Sequence, residues 1–139
     1  MDERRQMKEI LTPIAPGELI DKLTILRLKS ENISDETKLA NIRHEQEVLQ
    51  KVADAAIPHS DELSGLWDEL YHINGDLWAI EDDIRKCEAR SDFGAAFIAL
   101  ARAVYVTNDA RADVKKKINL LLGSDLVEEK SYYDHGASR

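Results

Sequence analysis

The sequence predicts an all-α protein: an antiparallel bundle of about four helices, two of them long, with an irregular C-terminal tail. Three observations predict it. Leu63, Leu66, Leu70, Ile73, Leu77, Ile80, Ile84 and Cys87 alternate spacings of three and four, which holds them on one side of a helix. The three prolines, Pro13, Pro16 and Pro58, lie outside the periodic segments. Valine, isoleucine and threonine nowhere alternate with polar residues for long, so strands have little support. The 139 residues suffice for one domain with one core, taken as 1–139.

Residues 1–15 form a charged leader that ends in an irregular ILTPIAP stretch. Pro16 suits the first turn of a helix, where its missing N–H is not needed, and Glu18 suits the positive end of the dipole. Leu19, Leu23 and Leu26, widened by Ile20 and Ile25, give this helix its apolar face, and it is expected to end near Asn32 or Ile33. Ser34 is the expected cap of the second helix, which carries Leu39, Ile42, Leu49 and Ala53 and stops before Pro58. Ser60 caps the third, the leucine-rich helix. Ser91 and Asp92 are expected to open the fourth, with Phe93, Phe97, Leu100 and Val104 as its first stripe and Val114, Ile118 and Leu121 as its last. Gly123 is placed to end it, and 124–139 follow as a polar tail with Tyr132, Tyr133 and His135. Short turns make neighbouring helices antiparallel. The third and fourth helices are nearly twice the length of the first, so their ends overhang, and a second copy (a dimer) is the expected cover.

Composition narrows the function. A net charge of −8, from 19 basic and 27 acidic residues, disfavours the basic face that nucleic acid requires. One cysteine, Cys87, excludes an internal disulfide and a cysteine-based zinc site. Its place on the leucine seam makes it a small buried hydrophobe. MDERRQMKEIL lacks the apolar run of a signal peptide, and no apolar stretch approaches the roughly 20 residues of a membrane span. A cytoplasmic location with no membrane partner is expected.

The third helix carries a second stripe, Trp67, Tyr71, Asn74, Trp78, Glu81 and Arg85, with Asp82 adjacent. Spacings of three and four put these on one face. They form either one wall of a pocket or a secondary helix–helix contact in which Glu81 and Arg85 are an ordinary i,i+4 pair. On the fourth helix Thr107, Asn108, Arg111 and Lys115 interrupt a stripe that Leu100, Val104, Ile118 and Leu122 otherwise continue. Charges in such a stripe are costly unless paired. Arg111 presents a planar fork of donors suited to carboxylate or phosphate, and Asp109 stands near to orient Arg111 or Lys115. Two arrangements compete: Arg111 and Lys115 pair internally with Glu81 and Asp82 and fix helix register, or part of the network faces a cleft and takes an anionic small molecule. Glu18, Lys22 and Lys29 read as a solvated face with an i,i+4 pair, or Lys22 joins the same polar band.

Metal chemistry has less support. Glu81, Asp82 and Asp83 are consecutive, so at most two face one point. Glu69 and His72 give one Glu-x-x-His spacing where di-iron bundles use two. His44–Glu45 lacks the second histidine of a zinc-protease helix. No resident metal or other cofactor is expected.

The segments PGELIDKLTILRLK (16–29), LWAIEDDIRKCE (77–88), FIALARAVYVTNDARADVKKKIN (97–119) and GSDLVEEKSYYDHG (123–136) resemble a family of short bacterial and phage proteins known as a domain of unknown function. The chain is also distantly similar to a second uncharacterised helical family with a Trp-x-x-Glu-Asp piece. Members of both lie near genes for sugar transfer and cell-surface polysaccharide, which is gene neighbourhood and not mechanism. The resemblance implies an all-helical fold and functional weight on Glu18, Asp21, Lys22, Asn74, Trp78, Glu81, Asp82, Arg85, Asn108, Asp109, Arg111 and Lys115. It carries no activity.

Three readings follow. The first is a non-enzymatic, self-associating module whose polar inter-helix pocket binds an anionic small molecule of nucleotide or nucleotide-sugar type. The second is a magnesium-dependent hydrolase of the all-α nucleotide pyrophosphatase type, with Glu81, Asp82 and Asp109 as ligands and Arg111 and Lys115 as phosphate clamps. The third is a structural bundle that docks a protein partner.

Overall fold

The computed structural model describes residues 7–130. It contains four helices, α1 (Pro16–Asn32), α2 (Glu36–Ala56), α3 (Asp61–Ala89) and α4 (Ala95–Leu121), and no strand among the described residues. The polar cluster Tyr132, Tyr133 and His135 lies outside the described residues.

Local chemistry sets the boundaries. Asp35, not Ser34, caps α2: its carboxylate accepts from the Lys38 N–H at 2.9 Å. Ser60 caps α3 by accepting from the Leu63 N–H at 3.1 Å. Helix α4 begins at Ala95, later than Ser91, because Ser91 and Asp92 complete the end of α3. The Asp92 N–H donates to the Cys87 carbonyl at 2.9 Å and the Ser91 N–H to the Glu88 carbonyl at 3.0 Å. This is a Schellman closure, which puts the residue after the C-cap in the left-handed region. Ser91 takes that conformation with φ +53°. Helix α4 closes the same way, with Ser124 N–H on Asn119 and Gly123 N–H on Leu120, and here glycine sits at φ +65°.

The shortest helix is the centre of the molecule. Helix α1 packs against α2, α3 and α4, while α2 packs on α1. Leu19, Ile20, Leu23, Thr24, Leu26 and Leu28 are all buried, so apolar residues are wanted around most of its circumference and not on one stripe. The core joins Leu19, Ile20 and Leu23 to Ala53 and Ile57, to Leu63 and Leu70, and to Val114 and Ile118. Cys87 is buried and free.

Gly17 fixes how α1 meets α4. A Cβ there would lie 2.5 Å from the Lys115 carbonyl oxygen and 2.8 Å from Asn119 Oδ1, so only glycine permits the approach. Ala15, the N-cap of α1, offers no side-chain acceptor. The Gly17 N–H, one of the orphan donors of a first turn, instead donates to Asn119 Oδ1 at 2.7 Å.

At 1.5 Å per residue α3 is about 18 Å longer than α1, the expected overhang. On the distal α3–α4 hairpin Phe93, Ile98, Tyr105 and Val106 are exposed, and Phe93 packs edge-on against Phe97 at 5.3 Å.

Candidate functional site

A buried polar network ties α1, α3 and α4 together. Its hub is Asp21, 1% exposed. Arg111 grips this carboxylate with both prongs: Nε donates to Oδ1 at 2.8 Å, and a terminal NH2 donates to Oδ2. Asn74 Nδ2 donates to Asp21 Oδ1 and to Thr24 Oγ1, both at 2.9 Å. The Thr24 hydroxyl proton goes to the Asp21 backbone carbonyl at 2.7 Å. Thr24 Oγ1 and the Asp21 carboxylate therefore meet Asn74 only as acceptors, which fixes its amide orientation. One turn on, Lys115 donates to Glu18 at 2.8 Å and to Glu128 at 3.2 Å.

Burial pushes the Asp21 carboxyl up, but the hydrogen bonds from Arg111 and Asn74 and the charges of Arg111 and Lys115 outweigh it, and its pKa lies below the usual carboxylate range. The hydrogen bond to Asp21 holds Arg111 above its ordinary value against burial. Burial pulls Lys115 down, but Glu18, Asp21 and Glu128 raise it overall.

These partners correct the expected pairing. Arg111 and Lys115 meet Asp21 and Glu18 on α1, not Glu81 and Asp82 on α3. Glu81 pairs with Arg85 at 2.8 Å and Asp82 with Lys86 at 3.3 Å, both along α3. Asp109 pairs with Lys130 and not with Arg111 or Lys115. Glu18 faces Lys115, so the Glu18–Lys22 pair does not form, and Lys22 is exposed, outside the polar band. Tyr71 also leaves the stripe for α1: it donates to Glu31 at 2.5 Å, and the Arg27 guanidinium lies 3.8 Å over its ring.

Two concavities flank the network. The larger, about 410 Å³, is lined by Ile25, Leu28, Asn74, Leu77, Trp78, Glu81, Asp82, Arg85 and Arg111. The smaller, about 220 Å³, is lined by Asn108, Arg111, Ala112, Lys115, Lys116, Asn119, Glu128, Glu129 and Lys130. Arg111 alone lines both. The ten residues expected to bind ligand thus divide. Asn74, Trp78, Glu81, Asp82, Arg85 and Arg111 share the cleft, Asn108 and Lys115 join Arg111 in the groove, and Asp109 meets a groove residue, Lys130.

Asn74 Oδ1 and the outer edge of Arg111 are unengaged in the cleft. Asn74 has both amide protons committed, and its Oδ1 accepts from no described residue. No side-chain nitrogen or oxygen sealed from solvent lacks a partner among the described residues, so this oxygen opens to the cleft although Asn74 is only 5% exposed. Arg111 retains the outer edge of its guanidinium, its side chain 29% exposed. A carbonyl acceptor, a braced set of cationic donors and the indole of Trp78 line one space. Among the described residues no group of three or more His, Cys, Asp or Glu side chains is placed to hold a metal ion. No described helix is long and apolar enough to cross a membrane.

Spacing along the helices does not reveal Asp21 as the hub, nor Thr24, Asn119 and the acidic pair Glu128 and Glu129. Thr24 inside LTIL and Asn119 after Ile118 were the available signals: polar residues in otherwise apolar runs. No curated protein and no solved structure matches the chain. Over residues 10–138 it matches the model of a family of unknown function (DUF6165), to which it therefore belongs.

Proposed function

We propose that the protein is a non-enzymatic, self-associating helical module whose α1–α3–α4 cleft binds a small molecule of nucleotide or nucleotide-sugar type. One observation carries the reading: Asn74 Oδ1 and the outer edge of Arg111 are both unengaged and open on the space that Trp78 walls. A ring carrying an N–H fits the carbonyl and the indole, and an anionic group fits the guanidinium. The volume lies within the usual range for small-molecule pockets.

Arg111→Ala is the wrong test, because it strips Asp21 of its counter-ion. Trp67 lies in a separate groove with Leu23 and Gln46, so Trp67→Phe leaves Trp78 as the single reporter. Titration of this variant with nucleoside phosphates and nucleotide-sugars is expected to give saturable quenching by at least one ligand class. Trp78→Ala, still folded by circular dichroism, is expected to abolish the corresponding thermal shift. No change in Trp78 emission or melting temperature across the panel rejects the reading.

The second reading, a bundle that only docks a partner, is favoured by a different observation. Arg111 and Lys115 are both paired, and apolar side chains stay exposed on the hairpin (Phe93, Ile98, Val106) as well as before α1 (Met7, Ile10, Leu11). The hydrolase reading gains no such observation, since Glu81, Asp82 and Asp109 each face a basic side chain.

A further inference from the structure

The smaller groove carries a site of its own. Arg111, Lys115 and Asn119 follow one another at spacings of four on α4, with Lys116 beside them, so their side chains form one row. Asn119 is 2% exposed. Its Oδ1 accepts from the Gly17 N–H, which turns its NH2 the other way, and that NH2 donates to no described residue. Because no sealed side-chain polar atom of the described residues is left without a partner, the NH2 opens on the groove that Asn119 lines. Two lysines, a guanidinium edge and a buried amide donor converge there.

Carboxylates of the chain itself now fill this row. After Gly123 the backbone turns and runs back along α4, so that Glu128 meets Lys115 and Glu129 meets Lys116, both at 3.2 Å. The segment 125–130 makes no backbone hydrogen bond to the helices, and only Ser124 and Leu126 bond locally. Its polar hold on α4 comes from side-chain charges: Lys130 on Asp109, whose side chains are about one-third exposed, and the two glutamate pairs, in which the Glu128 and Glu129 side chains are both 70% exposed. Exposed ion pairs of this kind are weak and screened by salt. Lys115, by contrast, is only 12% exposed and keeps Glu18 as a partner when the segment leaves.

We infer that the groove is a diphosphate-binding site occupied in the resting protein by its own acidic strap, with Glu128 and Glu129 standing in for two phosphate groups. An incoming diphosphate exchanges two carboxylates for phosphoryl oxygens on Lys115 and Lys116 and adds an acceptor for the Asn119 NH2. Binding therefore lifts the Glu128–Glu129 stretch off Lys115 and Lys116, while Lys130 keeps Asp109. The inference shares Arg111 with the cleft reading but neither Trp78 nor Asn74: Trp78→Ala is expected to leave pyrophosphate binding unchanged, so failure of either is seen separately.

The test is isothermal titration of the full-length protein with inorganic pyrophosphate. Glu128→Gln/Glu129→Gln is expected to bind at least about tenfold more tightly than the unaltered chain. Glu36→Gln/Glu45→Gln on α2, which removes the same charge elsewhere, is expected to leave affinity unchanged. In the first background Asn119→Asp keeps the acceptor for Gly17 but replaces the donor with an anion, and is expected to lose the gain. Adenosine diphosphate run in parallel separates a free diphosphate from one carried by a nucleotide. Equal affinities assign the former, a tighter nucleotide the latter, and both support the groove. A folded Glu128→Gln/Glu129→Gln protein with no gain over the α2 control overturns the inference, as does pyrophosphate binding that leaves the amide resonances of 126–130 unmoved.

Discussion

Removing Arg111 leaves a carboxylate that is 1% exposed with no cation in contact. Breaking such a pair from one side costs about 3–5 kcal/mol, so Arg111→Ala is expected to lower the urea midpoint steeply. A double-mutant cycle with Asp21→Ala is expected to show coupling of about 2 kcal/mol, because the second change removes the stranded charge. The same carboxylate sets an acid limit. Its pKa is lower in the folded protein than in the unfolded chain. Its contribution is therefore complete above the ordinary carboxyl value of about 4 and fades as pH falls through the lower folded value. Asp21→Asn is expected to flatten the acid limb of stability against pH, measured by denaturant titration at successive pH values. Asn74, Trp78, Arg111 and Lys115 were legible as polar or aromatic residues on expected apolar stripes. Spacing does not single out Asp21, because in LIDKL it reads as one more charge on a solvated face; only the family resemblance gives it weight. Which carboxylate meets which cation depends on where two helices cross, and spacing along one helix does not encode that.

At the scale of elements the two Schellman closures make a controlled comparison. Both use the same hydrogen bonds, but α4 has Gly123 in the left-handed position and α3 has Ser91. A non-glycine residue there is strained by about 1 kcal/mol, so Ser91→Gly is expected to raise the melting temperature by several degrees without altering the fold. Gly17 is the opposite case. Its φ is ordinary, but an added methyl meets backbone 2.5 Å away. Gly17→Ala is expected to cost about 1–3 kcal/mol or more and to weaken the protection of the α1 amides against hydrogen exchange. Helix number and the caps at Ser60 and Gly123 were legible because each is a local matter. The start of α4 was misread because Ser91 and Asp92 resemble an opening cap until the preceding helix is known to close through them. The central place of α1 was hidden by its length: it is the shortest helix, and only the widening of its apolar face by Ile20 and Ile25 hinted that most of it is covered.

At the scale of the molecule the distal hairpin, like the segment before α1, has too little cover. Phe93, Ile98, Tyr105 and Val106 leave apolar area in water, and side-by-side docking of two hairpins would bury it as a second four-helix layer. Ile98→Glu/Val106→Glu is expected to convert a dimer to a monomer in sedimentation analysis while retaining helix content. A monomeric unaltered chain removes self-association from the proposed function.

The central position of α1 also governs the order of events at the ribosome. Helix α1 emerges early, yet its charge partners Arg111 and Lys115 lie 90 and 97 residues downstream. Until α4 has left the exit tunnel, Asp21 has no counter-ion and the apolar sides of α1 have no complete cover. Contacts so distant in sequence form slowly, and a nascent chain that waits for them exposes apolar surface meanwhile. The chain through the end of α4 at Leu121 must therefore be outside the ribosome before the protein can fold cooperatively, which makes its folding a late, single step.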